Sequence, residues 1–263
     1  MGNITSIAWT DKTFNAWWGC SKISPGCKNC YAERLAKRFG HREIWGAGTR
    51  RLFDDNHFDE PKRWNAEAEK KHTRAKVFCG SMMDWAEDRD DLIRPRKKLF
   101  DLIANTPCLD WQLLTKRPEN IARFLPFQPT ENLWLGVTIE SSEFIHRADF
   151  LRPIPALVKF ISYEPALGNL ADLDLSELNW VIFGGESGPG FRSPQGWLDW
   201  ARTMQSKCAR SNVAFFFKQS PAFTTGSGDL LDGKKFHEFP NPKKTARSNL
   251  PEDFTSQTAF ALR

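Results

Sequence analysis

An α/β fold, with parallel strands arranged as a single (β/α) barrel of the TIM type, partial or closed, is predicted from three observations. Short apolar runs recur along the chain, and each ends in a polar or glycine-containing cluster. Segments with apolar residues at three- and four-residue spacing lie between several of them. The length, 263 residues, matches the roughly 250 of one such barrel.

Taken in chain order, the first strand is read at "ITSIAWT" (4–10) and is followed by a cysteine-containing loop at 17–31. Beyond Cys30, Tyr31, Ala32, Leu35, Ala36 and Phe39 fall on one helical face. The interval 39–73, with "GHREIWGAGTRRLFDDNHF", is less regular and reads as an insertion over the carboxyl-terminal face of the barrel. Further strands follow at "AKVFCGS" (75–81), "DWQLLTK" (110–116), "NLWLGVT" (132–138), "LVKFISYE" (157–164), "NWVIFGGES" (179–187) and "VAFFFKQS" (213–220). These runs are continuously apolar rather than alternating, the pattern of strands covered on both faces of a parallel sheet. Helices are expected over 90–106 and 195–211. Residues 1–220 thus form the barrel, and 221–263, rich in Gly, Pro and Lys, read as a hairpin or lid with a loose tail.

Hydrophobic residues at 40% and charged residues at 26% give a soluble globular profile rather than a disordered one. No stretch approaches the roughly 18 apolar residues of a membrane span, and "MGNITSIAWT" lacks the pattern of a signal peptide. A cytoplasmic setting with no membrane partner is therefore expected. In agreement, Cys79, Cys108 and Cys208 stand isolated and form no disulfide framework by spacing. A net charge of +5 permits an anionic partner without demanding one.

Cys20, Cys27 and Cys30 are spaced C-x6-C-x2-C, with turn formers between them. The two-residue gap lets Cys27 and Cys30 grip one centre, and the longer arm brings Cys20 to it. Because the loop opens onto a helix N-terminus, backbone N–H groups there favour thiolate charge. Three readings compete. A structural zinc ion wants four ligands, so His41, His57, His72 or a distant cysteine would complete it. A cubane iron–sulfur cluster can be held by three cysteines with one iron left open. The third reading is three thiols and no metal.

A second constellation lies at the carboxyl ends of the strands, where a parallel barrel collects its reacting groups. Those ends carry Ser81 and Asp84; Lys116 and Arg117; Thr138 and Glu140; Glu164; Glu186; and Lys218. Any one of them alone reads as a helix cap or a solvated loop charge, but six strands ending this way point to a shared polar mouth.

The chain resembles a family of phage and prophage proteins with a three-cysteine motif, a domain of unknown function that looks related to radical S-adenosylmethionine (SAM) enzymes. The resemblance is carried by "TFNAWWGCSKISPGCKNCYAE", "GSMMDW", "QLLTKRPENI", "LWLGVTIE", "FISYEPALG", "WVIFGGESGPGFR", "FFFKQ" and "LLDGKKFHEFP". It implies a 4Fe–4S cluster on Cys20, Cys27 and Cys30, with SAM chelating the open iron and an external electron donor. One electron then cleaves the sulfonium to a 5′-deoxyadenosyl radical. By position, Ser81 and Asp84 would meet the amino group of SAM, Thr138 and Glu140 its ribose, Lys116 or Arg117 its carboxylate, and Tyr31 its adenine. Glu164, Glu186 and Lys218, with Lys116 and Arg117, are the candidate catalytic groups at the mouth. Two departures stand out: the superfamily spacing is C-x3-C-x2-C, and "GGES" lies at the sixth strand instead of soon after the cysteines.

Basic and aromatic residues in "HREIWGAGTRR", "PKRW" and "TKRPENIARF" suggest an electropositive rim with rings for base stacking. The family resemblance adds a nucleic-acid base, in phage DNA modification or repair, as the expected substrate. The alternative is a non-catalytic nucleic-acid-binding or regulatory protein with a structural zinc or iron–sulfur site. Against it stand the carboxylates at the mouth, which a passive polyanion binder would not gather.

Overall fold

The computed structural model describes residues 5–126 and 130–241. In chain order the elements are β1 (Lys12–Phe14), β2 (Trp17–Trp18), α1 (Tyr31–Arg38), β3 (Arg51–Leu52), α2 (Asp55–Lys70), β4 (Ala75–Cys79), α3 (Ile93–Ala104), β5 (Leu109–Thr115), α4 (Ile121–Phe124), β6 (Leu133–Thr138), α5 (Arg147–Leu151), β7 (Val158–Tyr163), β8 (Trp180–Gly184), α6 (Trp197–Ser211) and β9 (Ala214–Gln219). Seven strands pair in the order β1-β4-β5-β6-β7-β8-β9, every pair parallel. The sheet curls into a half-barrel. β2 and β3 form a separate antiparallel pair.

From β4 to β9 the side chains keep one phase. Val77, Trp111, Leu113, Leu135, Val137, Ile161, Val181, Phe183, Phe215 and Phe217 belong to the large core cluster that also includes residues of α2, α3 and α6. Phe78, Trp134, Phe160, Trp180, Ile182 and Phe216 belong to a second cluster, which fills the concave side. Even-numbered residues therefore point inward, as alternation along a strand requires. Packing inside is tight: a Cβ on Gly136 of β6 would stand 2.3 Å from the Phe160 ring on β7.

The first strand departs from expectation. The run read at 4–10 is not a strand over its described residues; the pairing begins at Lys12, with residue 4 outside the described residues. Trp9 instead packs into the concave cluster, 4.5 Å from Phe78 between ring centroids. Thr10 donates through its hydroxyl to the carbonyls of Lys12 and Lys76, which turns the chain before it can extend. An apolar run suits an interior plug as well as a strand.

The interval 39–73 also holds more order than its composition suggests, because α2 occupies 55–70 and buries Phe58, Pro61, Trp64 and Ala68. Asp54 caps it by accepting from the His57 N–H. α2 lies between β1 and β4 in the chain, so it serves as their crossover helix.

Beyond β9, the described part of 221–263 includes the expected hairpin, bridged between Leu231 and Lys234. The chain then lies antiparallel on β9, with Phe217 N–H donating to Phe236 O at 2.7 Å and Glu238 N–H to Phe215 O at 3.1 Å. Phe239 packs on Trp180 and Phe216, beneath Lys76 of β4. This stretch covers the β9 edge and helps to stopper the open side of the half-barrel. The rest of the expected tail, 242–263, lies outside the described residues. Among the described residues no helix is long and apolar enough to cross a membrane.

Candidate functional site

The loop carrying Cys20, Cys27 and Cys30 crosses the carboxyl ends of the strands. On one side, Arg117 after β5 donates to the Cys20 sulfur at 3.7 Å, to Ser21 O at 2.9 Å and to Asp84 at 2.8 Å. In the middle, Gly26 approaches Glu140 so closely that a Cβ there would meet its Oε1 at 2.9 Å. On the other side, Asn29 donates to Glu186 at 2.9 Å. Tyr31 opens α1 and donates to Ser81 O at 2.8 Å. Ser81 Oγ in turn accepts from Asn15.

Most of the predicted residues are thus brought together at one mouth, yet their side chains are largely committed to each other. Asp84 is buried, and its two oxygens accept from Ala86 N–H, Thr115 Oγ1, Lys116 N–H and Arg117. Glu140 is fully buried and takes Arg147 at 2.8 Å on Oε2, leaving Oε1 without a partner. Glu164 binds Lys218 at 2.7 Å. Glu186 accepts from Asn29 and from the backbone and guanidinium of Arg192. Thr138 is buried at the end of β6, and its carbonyl accepts from Arg147. Lys116 is half-buried, and no hydrogen-bond or ion-pair partner for its ammonium is found among the described residues. Its charge acts on the Cys30 thiol.

Electrostatics follow from this pairing. Burial pushes the Cys20 thiol up to about 12, helped by Asp84 and Glu87 and opposed by Arg117. Burial likewise raises Cys30, against the pull of the Glu33 and Ala32 amides at the start of α1 and of Lys116. Burial would also raise the carboxyls of Glu186 and Glu87. Hydrogen bonds outweigh it, from Arg192 and Asn29 on the first and from Arg50 and Ser21 on the second, and hold both below the usual carboxylate range.

Glu87 is not among the residues the sequence singles out, and Arg50 is expected there only as part of the basic rim. Arg50, buried, donates to Glu87 through two nitrogens and to the carbonyls of Ile44, Gly46 and Gly48. Glu87 also accepts from Ser21 at 2.7 Å. The acid stands three residues after Asp84 in "DWAEDRD", the only local hint of it. The expected basic rim is accordingly smaller than the sequence suggested: Arg50 and Arg117 are buried in ion pairs, Trp64 is core, and Arg123 pairs with Asp88.

The carboxylates do not weigh against a polyanion partner, because each is neutralised. Asp84 faces Arg117, Glu87 faces Arg50, Glu140 faces Arg147, Glu164 faces Lys218 and Glu186 faces Arg192. A groove of about 930 Å³ runs beside the Cys20 arm, with Glu87 and Arg117 in its wall. A second, of about 440 Å³, is lined by Pro25, Glu140, Ser142 and Arg192.

For a metal, the three thiols are free of disulfides. Among the described residues no three Cys, His, Asp or Glu side chains form a group able to hold a single ion. The histidines considered as fourth ligands are placed elsewhere. His41 contacts Arg51, His57 bonds Asn15 O between Phe14 and Phe53, and His72 lies just past α2. Cys79 and Cys208 are buried in the outer core. A tetrahedral zinc with sulfur at about 2.3 Å needs its ligands almost in contact. An iron–sulfur cluster gives each thiolate its own iron, so it needs thiols that border one space without touching. Thiolate is the donor type such a cluster takes, and Cys20, Cys27 and Cys30 lie on one loop.

A family model described as "Protein of unknown function (DUF5131)" matches residues 4–240. No curated protein and no solved structure matches the chain.

Proposed function

Because the chain belongs to the DUF5131 family, whose description assigns no chemistry, we propose the reading that its mouth supports: an iron–sulfur enzyme related to the radical SAM enzymes. The supporting observation is the cysteine loop lying across the carboxyl ends of a parallel half-barrel, braced by Arg117 and seated over Glu140. Cys20, Cys27 and Cys30 would hold a 4Fe–4S cluster. When bound, the cluster would pass one electron from an external donor to SAM, breaking its sulfonium carbon–sulfur bond to give methionine and a 5′-deoxyadenosyl radical that takes hydrogen from the substrate.

The chain's own groups divide as follows. Lys116, with its free ammonium, would hold a carboxylate, and Thr138 with Glu140, whose unpartnered Oε1 lies beneath Gly26, would form the ribose side. The exposed Tyr31 ring offers a face to adenine, next to Ser81. Asp84 and Arg117 are committed to each other, so they act by positioning the Cys20 arm. Glu164, Lys218 and Glu186 border the substrate side. A nucleic-acid base, in phage DNA modification or repair, is the proposed substrate class.

Electron paramagnetic resonance on anaerobically purified, dithionite-reduced protein, with iron and sulfide analysis, tests this. A 4Fe–4S signal that shifts when SAM is added is the expected result. Stoichiometric zinc, or a signal indifferent to SAM, overturns it and leaves a metal-stabilised nucleic-acid-binding or regulatory protein.

A further inference from the structure

The five acids at the strand ends are internally neutralised, Glu143 in the second groove has no ion-pair partner among the described residues, and two cations without carboxylate partners stand at the rim. Lys28 in the cysteine loop and Arg34 on α1 have no carboxylate partner among the described residues. Two rings stand open beside them: Phe191 is 36% exposed and Phe223 67%.

Although they come from three segments, these residues form one surface. Asn29 donates to Gly190 O at 2.8 Å, and Arg34 donates to Ser187 O at 3.2 Å. Arg34 lies so close over Gly188 that a Cβ there would meet its guanidinium at 2.1 Å. Gly188 N–H donates to Ala222 O at 3.0 Å, one residue before Phe223. α1, the loop after β8 and the loop after β9 are thereby knitted together, with an exposed ring on each of the two loops. Exposed rings held by ordered backbone beside unneutralised cations suit a partner with flat apolar faces on an anionic chain.

We propose that this rim binds single-stranded nucleic acid, with bases stacking on Phe223 and Phe191 and phosphates meeting Lys28 and Arg34. It deepens the substrate reading given above and rests on that reading for the mouth as the substrate side, but binding itself requires neither cluster nor SAM. A duplex keeps its base faces stacked inside, so the rings discriminate against it.

The test is fluorescence anisotropy of the full chain with labelled 20-nucleotide single strands of DNA and RNA, the matching duplexes, and vesicles of phosphatidylglycerol and phosphatidylcholine, across a salt series. Single strands are expected to bind at least about tenfold tighter than duplex, since each stacked base is worth about 1–3 kcal/mol. The Phe191→Ala/Phe223→Ala variant should lose at least about tenfold, and Lys28→Ala should reduce the logarithmic salt slope by about 0.7. All three substituted residues are surface residues, so circular dichroism matching the parent confirms that the fold is kept. Equal affinity for duplex and single strand, no loss in the double variant, or binding to vesicles in place of oligonucleotide overturns the proposal. A SAM-shifted cluster signal without oligonucleotide binding defeats the rim alone. Oligonucleotide binding without that signal defeats the cofactor reading alone.

Discussion

Replacing Asp84 with alanine strips the buried Arg117 guanidinium of its closest counter-charge and leaves Thr115 Oγ1 and the Ala86 and Lys116 N–H groups without their acceptor. Removing one member of a buried ion pair costs about 3–5 kcal/mol, because the survivor stays buried and uncompensated. Glu87, 3.6 Å from Arg117, still offers partial compensation, so the lower end applies, about 3 kcal/mol. For a domain of this size that corresponds to a fall in Tm of about 6–12 °C. Thermal unfolding read by circular dichroism, with urea titration to confirm an unchanged m-value, measures it. Asp84→Asn, which keeps an acceptor oxygen and the side-chain volume, should cost less than Asp84→Ala. A Tm for Asp84→Ala within about 1 °C of the parent would refute the reading of this group as the strap between β4, β5 and the Cys20 arm.

Three further outcomes are expected. Glu87 has a folded carboxyl below its unfolded value of about 4.3, so its contribution is present above that pH and is lost as pH falls through the folded value. The Tm of Glu87→Gln measured from pH 3 to 7 should therefore decline less steeply on the acid side, and parallel curves would contradict this. Gly136→Ala drives a methyl into the Phe160 ring and should cost about 1–3 kcal/mol, partly recovered in Gly136→Ala/Phe160→Leu; an unchanged melting curve for the single variant would contradict the interior packing. In metal-free protein at pH 8, iodoacetamide should label Cys20 slowly, because burial first and Asp84 and Glu87 next keep its thiol protonated. Mass spectrometry showing Cys20 labelled as fast as a cysteine in an unstructured peptide would exclude that environment.

The strands were legible because a parallel sheet covered on both faces demands continuous apolar runs, and six of the seven runs read this way coincide with strands from β4 to β9. The run at 4–10, which includes Trp9, misled, since burial inside the half-barrel selects the same residue types as burial within a strand. α2 was hidden because its apolar residues, Phe58, Trp64 and Ala68, are sparse among charges and a proline. The phase of each strand could not be read from runs that are apolar on both sides.

By itself, the sequence determined the three-cysteine loop, the helix that follows it and the polar strand ends, all of which are properties of neighbouring residues. Only the tertiary structure decided what those groups face. Arg117 meets Cys20 across 97 positions, Asn29 meets Glu186 across 157, and Arg50 meets Glu87 across 37. A buried charge must find its counter-charge wherever the fold brings one near, and that choice depends on which strand ends adjoin at the mouth, a matter on which local spacing is silent.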